Sequence, residues 1–205
     1  MKQRKMRSAL RPLLAAGALL VAAGQAWAEP RSYTIDPDHF SIGFQVDHIG
    51  YADVIGMFLK GSGGFVYDEA TRTLSSGRVV VLADSVFSNH KARDRHVRDS
   101  DFLDAARYPE IVFEATGFEP VMENEGRVEG RLSGNLTLLG QTHPVTLEAS
   151  LNKAAIYPFG HRKHTLGISA RAILPRSQWG MSYGVERGLV GDEVLLSFEL
   201  EAIRD

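Results

Sequence analysis

The chain has 205 residues, 23 basic and 25 acidic, and no cysteine. The missing cysteine excludes a disulfide framework and a lipidated cysteine, and the length fits one domain large enough to build a sufficient core. The acidic excess, larger once the basic N-terminal segment is set aside, disfavours nucleic acid as a partner, because phosphate binding relies on cations.

Lys2, Arg4, Lys5, Arg7 and Arg11 precede the apolar run Leu13–Ala23, and Ala26-Trp27-Ala28 supplies a small-x-small motif before Glu29. That order predicts a secretory signal peptide over 1–28, cleaved after Ala28, and a mature exported domain over 29–205. The apolar run falls short of the about 20 residues that span a bilayer. Without those five bases, 18 basic residues face 25 acidic ones, a net charge of −7.

The rest alternates. Tyr33–Asp36 is a short strand, Pro37-Asp38 turns it, and Phe40, Ile42, Phe44 and Val46 then alternate with polar residues and glycine. His48 continues that apolar parity. Val54–Phe58, Phe65–Tyr67 and Val79–Leu82 follow, with Asp68–Ser76 read as a turn and Gly56, Gly61, Gly63 and Gly64 marking bends. Beyond Ile111–Thr116 and a polar loop over Glu119–Gly126, two runs form a long hairpin around Gly140–His143. Val128, Gly130, Leu132, Gly134, Leu136 and Leu138 share one face of its first run; Val145, Leu147, Ala149 and Leu151 share one face of its second. Leu166–Leu174 and Val194–Ala202 are further alternating strands, separated by the irregular Pro175–Gly191. The count is about eight strands with short connections, which predicts an all-β fold, an eight-stranded antiparallel β-barrel. Small inward residues such as Gly130, Gly134, Ala170 and Ala172 leave two options open: room for a ligand, or relief of crowding.

Ser88–Phe113 breaks the pattern. It is charged and carries two histidines, and Asn89 is a good N-cap for a helix over about His90–Arg98, so a short helical insertion is expected at about 89–105. Asp94 and Arg98 stand at i,i+4. The insertion covers one mouth of the barrel in either of two ways. Lys91, Arg93 and His96 meet a polar or anionic head group while Phe102 closes over an apolar tail; or Arg93 and Asp94 lock the insertion to the barrel.

These residues resemble the YceI-like family, periplasmic polyisoprenoid-binding proteins with a lipocalin-like barrel. The matching pieces are Tyr33–Asp36 with His39, Phe44–His48 with Gly50, Gly56-Met57-Phe58, Asn89–His96 with Arg98, Asp101-Phe102, Tyr108-Pro109 with Phe113, Gly134–Gly140, Pro144–Leu147, Trp179-Gly180 and Gly191–Val194. Phe40, Val97 and Gln178 depart from the family pattern, and Trp179 replaces its phenylalanine. The resemblance implies an extended barrel, a periplasmic location and an apolar tunnel for a long isoprenoid or other lipid, such as a polyprenyl phosphate or quinone. Ligand contacts are then expected from Phe44, His48, Met57, Phe58, Lys91, Arg93, His96, Phe102, Phe113, Leu136 and Trp179. His48 has a second role open to it, as a hydrogen-bonded structural histidine.

No cofactor beyond the bound lipid is implied. His161 and His164, three apart and without cysteine or clustered carboxylates, make a weak zinc pattern, and no metal centre is expected. Gly-x-Ser-x-Gly, a P-loop and His-Glu-x-x-His are all missing, so a binding protein is expected, with a barrel enzyme or a redox accessory acting on a lipid or quinone as the alternative. Storage or transport of a lipid, as in a stress response, leaves room for a homodimer and for transient contact with a membrane or membrane cytochrome.

Overall fold

The computed structural model describes residues 29–205; the signal segment expected over 1–28 lies outside them. The strands are β1 Arg31–His48, β2 Ala52–Phe58, β3 Gly61–Asp68, β4 Thr73–Leu82, β5 Val86–Phe87, β6 Glu110–Asn124, β7 Arg127–Leu138, β8 Gln141–Ile156, β9 His164–Pro175 and β10 Glu193–Arg204, with one helix, α1 Lys91–Arg98, between β5 and β6. All the strand pairings are antiparallel, and β10 returns to β1, so the sheet closes. β2 pairs with the Ile42–His48 half of β1 and β3 with its Arg31–Thr34 half; together they act as one bent strand, and the barrel is eight-stranded as expected.

Several boundaries differ from the sequence expectation, each for a local reason. Pro37-Asp38 is not a turn but a bulge inside β1, where its register on β10 shifts between Ile35 and Phe40. Most of the segment read as a loop over Glu119–Gly126, and most of the turn read around Gly140–His143, are strand. β6 runs on to Asn124, and Glu125 and Gly126 alone make the turn, at φ 49° and 82°. Leu139 and Gly140, at φ 51° and 71°, turn β7 into β8. Paired positive φ values belong to the tight hairpin turns whose twist matches the strands, so pairing continues up to them. The turn expected over Asp68–Ser76 shortens likewise, because β4 already begins at Thr73.

The inward face follows the period of two. At one end Tyr33, Tyr67, Val128, Leu151, Leu166 and Ala202 are all buried, with Phe65, Phe118, Ile168 and Leu200 packed against them. This plug fills the barrel where β1 and β3 meet the far ends of β7–β10. Above it the glycines answer the question left open by the sequence. A side chain at Gly134 would meet the Phe113 ring at 2.4 Å, and one at Gly130 the carbonyl of Glu119 at 2.3 Å and the Phe118 ring at 2.8 Å. Gly56 would meet Phe44, and Gly61 would meet Phe40, in the same way. The glycines thus take aromatic rings, not ligand. Rings drawn against the wall in turn leave the axis of the barrel clear.

Candidate functional site

The clear axis is a cavity of about 430 Å³ in the half of the barrel above the plug. Volumes of this order are ordinary for ligand chambers. Its walls come from nearly every strand: Ile42 and Phe44, Val79 and Val81, Ile111 and Phe113, Leu136 and Leu138, Val145 and Leu147, Ala172 and Leu174, Leu196 and Phe198. Cross-strand pairing sets Phe113 beside Leu136, and Phe44 beside Leu196. The polar and charged lining residues gather at the mouth: Asp47, His48, Arg93, His96, Arg176 and Tyr183.

Two segments roof that mouth. The first is α1 with its flanks. Asn89 does not cap the helix: it sits at φ 60°, a conformation that asparagine tolerates, and the cap passes to His90, whose Nδ1 accepts from Arg93 N at 3.2 Å. Asp94 is buried and accepts from Ser88 N at 2.7 Å and from the Ser88 hydroxyl. Arg93 Nε donates to the same hydroxyl at 2.7 Å, and its Nη2 to the Ser88 carbonyl. Arg98 meets Asp94 through the backbone carbonyl, Nε to O at 2.9 Å, rather than as a side-chain ion pair. Asp94 and most of the Arg93 guanidinium thus tie α1 to Ser88, just after β5, without an Arg93–Asp94 ion pair among the described residues, while the Arg93 side chain also lines the mouth.

The second is Arg176–Gly191. Arg176, only 4% exposed, gathers the loop around one guanidinium: Nε donates to Gly191 O, Nη1 to Met181 O, and Nη2 to Tyr183 O and Val190 O, all at 2.8–3.0 Å. It also lies 5.6 Å from the centre of the Phe102 ring, a cation–π distance. Trp179 is buried and donates Nε1 to Leu136 O at 3.0 Å, which pins the loop to β7. The two roofs meet in a cluster of rings. His96, Phe102 and Tyr183 have centroids 5.0–5.2 Å apart, and His96 Nε2 lies 2.9 Å from Asp101 Oδ2.

Of the residues expected from the sequence, Phe44, His48, Phe58, Arg93, His96, Phe102, Phe113, Leu136 and Trp179 line the cavity. His48 does so from the exposed rim, not from a buried site. Met57 and Lys91 do not line it. Met57 pairs with Phe87 on the outer wall, one residue out of phase with the inward Gly56 and Phe58. Lys91 stands in the first turn of α1 with its side chain in solvent. Arg176 and Tyr183 were missed, since an arginine after a proline in an irregular segment reads as a solvated residue.

Burial pushes the Asp94 carboxyl up, but the Ser88 hydrogen bonds and the charges of Arg98 and Arg93 outweigh it and hold the group below the usual carboxylate range. The unfolded chain therefore binds a proton more readily. The stability that Asp94 gives α1 is complete above the ordinary aspartate value of about 3.9 and is lost as pH falls through the lower folded value. Amide hydrogen exchange in Lys91–Arg98 is expected to accelerate in that acid window. Ser88→Ala, which removes one of the two Ser88 donors, moves the onset to higher pH. An onset unchanged by Ser88→Ala counts against the lock.

The YceI-like domain profile matches residues 33–202. A UPF0312 protein of Pseudomonas aeruginosa is 34% identical over 191 residues, covering 93% of this chain and 95% of its own length. One from Vibrio parahaemolyticus is 39% identical over 150 residues, 72% of this chain and 77% of the relative. Among solved structures, BcnA of Burkholderia cenocepacia superposes with a TM-score of 0.68 at 20% identity, over 82% of this chain and 98% of that one. A polyisoprenoid binding domain from Saccharophagus degradans superposes with a TM-score of 0.65 at 14% identity, over 85% of this chain and 99% of that one.

Proposed function

The chain belongs to the YceI-like family, and from that premise we propose that it binds an amphipathic, isoprenoid-type lipid in the barrel cavity and stores or carries it. One observation carries this: an apolar chamber, plugged at one end, whose polar lining is confined to the mouth. Such a chamber matches a molecule with a long hydrocarbon tail and a single polar end. Each methylene buried is worth about 0.8 kcal/mol. Docking costs on the order of 4–15 kcal/mol of lost freedom, so only a long tail leaves a useful surplus. The polyisoprenoid binding domain of Saccharophagus degradans shares the fold and supports the choice of tail.

His48, Arg93 and His96 are the groups placed to meet the head, a polyprenyl phosphate or a quinone. Below them the lining is aliphatic and aromatic, which favours binding over catalysis. The export pattern at the N-terminus supports action in the periplasm. Ile49 lines the cavity and is half exposed on the β1–β2 hairpin, and Tyr51 beside it is 90% exposed. An exposed apolar pair at the hairpin tip, beside the polar mouth, supports loading from a membrane leaflet.

The test is mass spectrometry of the organic extract of protein purified from its own host. An isoprenoid-tailed lipid at near-stoichiometric level is the expected result. Protein that is folded and contains no extractable lipid overturns the proposal.

A further inference from the structure

We propose that Asp36, His39 and Glu201 form a binding site for a divalent transition-metal ion of the zinc class, on the outer wall of the barrel at the β1–β10 seam. None of the three lines the lipid cavity, so the site is separate from the proposed lipid function and does not depend on it.

The bulge in β1 creates the arrangement. The register shift between Ile35 and Phe40 lets Asp36 and His39 turn toward the same side, against Glu201 on the outward face of β10. Asp36 Oδ2 lies 2.8 Å from His39 Nδ1, His39 Nδ1 lies 3.6 Å from Glu201 Oε2, and all three donor atoms fall within 4.8 Å of one another. Zinc bonds of about 2.0–2.2 Å set neighbouring donor atoms roughly 3–3.5 Å apart, so little movement is required.

Two further observations point to an ion. Glu201 Oε2 is itself enclosed, in a side chain 31% exposed, and no hydrogen bond of normal length reaches that oxygen among the described residues, although the Tyr157 hydroxyl stands beside the carboxylate. A carboxylate oxygen in that condition is costly, and a cation relieves it. Asp36 is itself only 9% exposed, and its other oxygen accepts from Asp38 N at 3.0 Å, which aims Oδ2 at the centre of the cluster. His39 is half exposed, giving an ion a path in and water a place to complete its shell. One imidazole with two carboxylates suits zinc better than calcium or magnesium, which take oxygen alone. An ion here bridges the bulge of β1 to β10 across the seam that closes the barrel.

Isothermal titration of ZnCl₂ into untagged, chelator-stripped protein at neutral pH tests the site, with thermal unfolding as a second readout. The expected result is one zinc per chain and a melting temperature that rises with free zinc. His39→Ala and Glu201→Gln are each expected to weaken binding by at least about tenfold while leaving lipid content at the parental level. His39 is half exposed, so its variant keeps the parental far-ultraviolet circular dichroism. Absence of zinc binding by the parent overturns the proposal. So does binding of equal strength in both variants, or binding abolished by His161→Ala and untouched by His39→Ala. In the first case a protonated His39 bridges the two carboxylates unaided.

Discussion

Arginine in place of Leu136 is expected to empty the chamber. Leu136 is 8% exposed, lines the cavity, and lies between Phe113 on β6 and His143 on β8. A guanidinium there has no partner in an aliphatic wall, and an uncompensated buried charge costs several kcal/mol. It either swings into the cavity, drawing water with it, or unfolds the wall; both remove the lipid. Ala172→Trp separates the two outcomes. Ala172 also lines the chamber, and an indole there adds volume without charge. This variant is expected to melt close to the parent and to carry no lipid in its extract. Full lipid content in a folded Ala172→Trp protein would place the ligand outside the barrel.

Arg176→Met is expected to destabilise the protein by several kcal/mol, at about 1–3 kcal/mol for each buried acceptor left unsatisfied. The loss falls on the acceptors. The carbonyls of Met181, Tyr183, Val190 and Gly191 converge on one side chain, and methionine leaves all four without that donor. Urea unfolding should shift to a lower midpoint, and hydrogen exchange should rise first in residues 180–191, ahead of the strands. Arg176→Lys should fall between, because an ammonium has three donors where the guanidinium has five. A Met variant with the parental midpoint would show that the loop is held by its other bonds, such as Trp179 to Leu136, Gln141 to Trp179 and Ser177 to Asp192.

The strands were legible because a barrel with a packed interior imposes one rule along each of them, apolar every second residue. Val128 to Leu138 and Val194 to Ala202 obey it without exception. The same rule excludes Met57, which has the wrong parity; its place among the expected contacts came from the resemblance of Gly56-Met57-Phe58 to a family motif. Misjudging the helix cap had a different cause. Asparagine outranks histidine as an N-cap, but it also tolerates positive φ, and at position 89 that second property prevails. Arg176 was hidden because its partners are backbone carbonyls, which every sequence contains and no sequence marks. Only the folded loop shows that they converge. The clustering of Asp36 and His39 with Glu201 was hidden likewise, since more than 160 positions of chain separate them and only barrel closure brings them together.

The aromatic plug around Tyr33 and Tyr67 makes the barrel a blind tube. A tail threaded into it has a single way out and must be withdrawn past the mouth carbon by carbon. If release is limited by that withdrawal, each further methylene held inside slows it roughly fourfold, the rate equivalent of about 0.8 kcal/mol. On the proposed function, dwell time then grows with tail length whatever the head group adds at the mouth: short chains would escape within the time that long ones remain, and a mixed pool of lipids would be sorted by length.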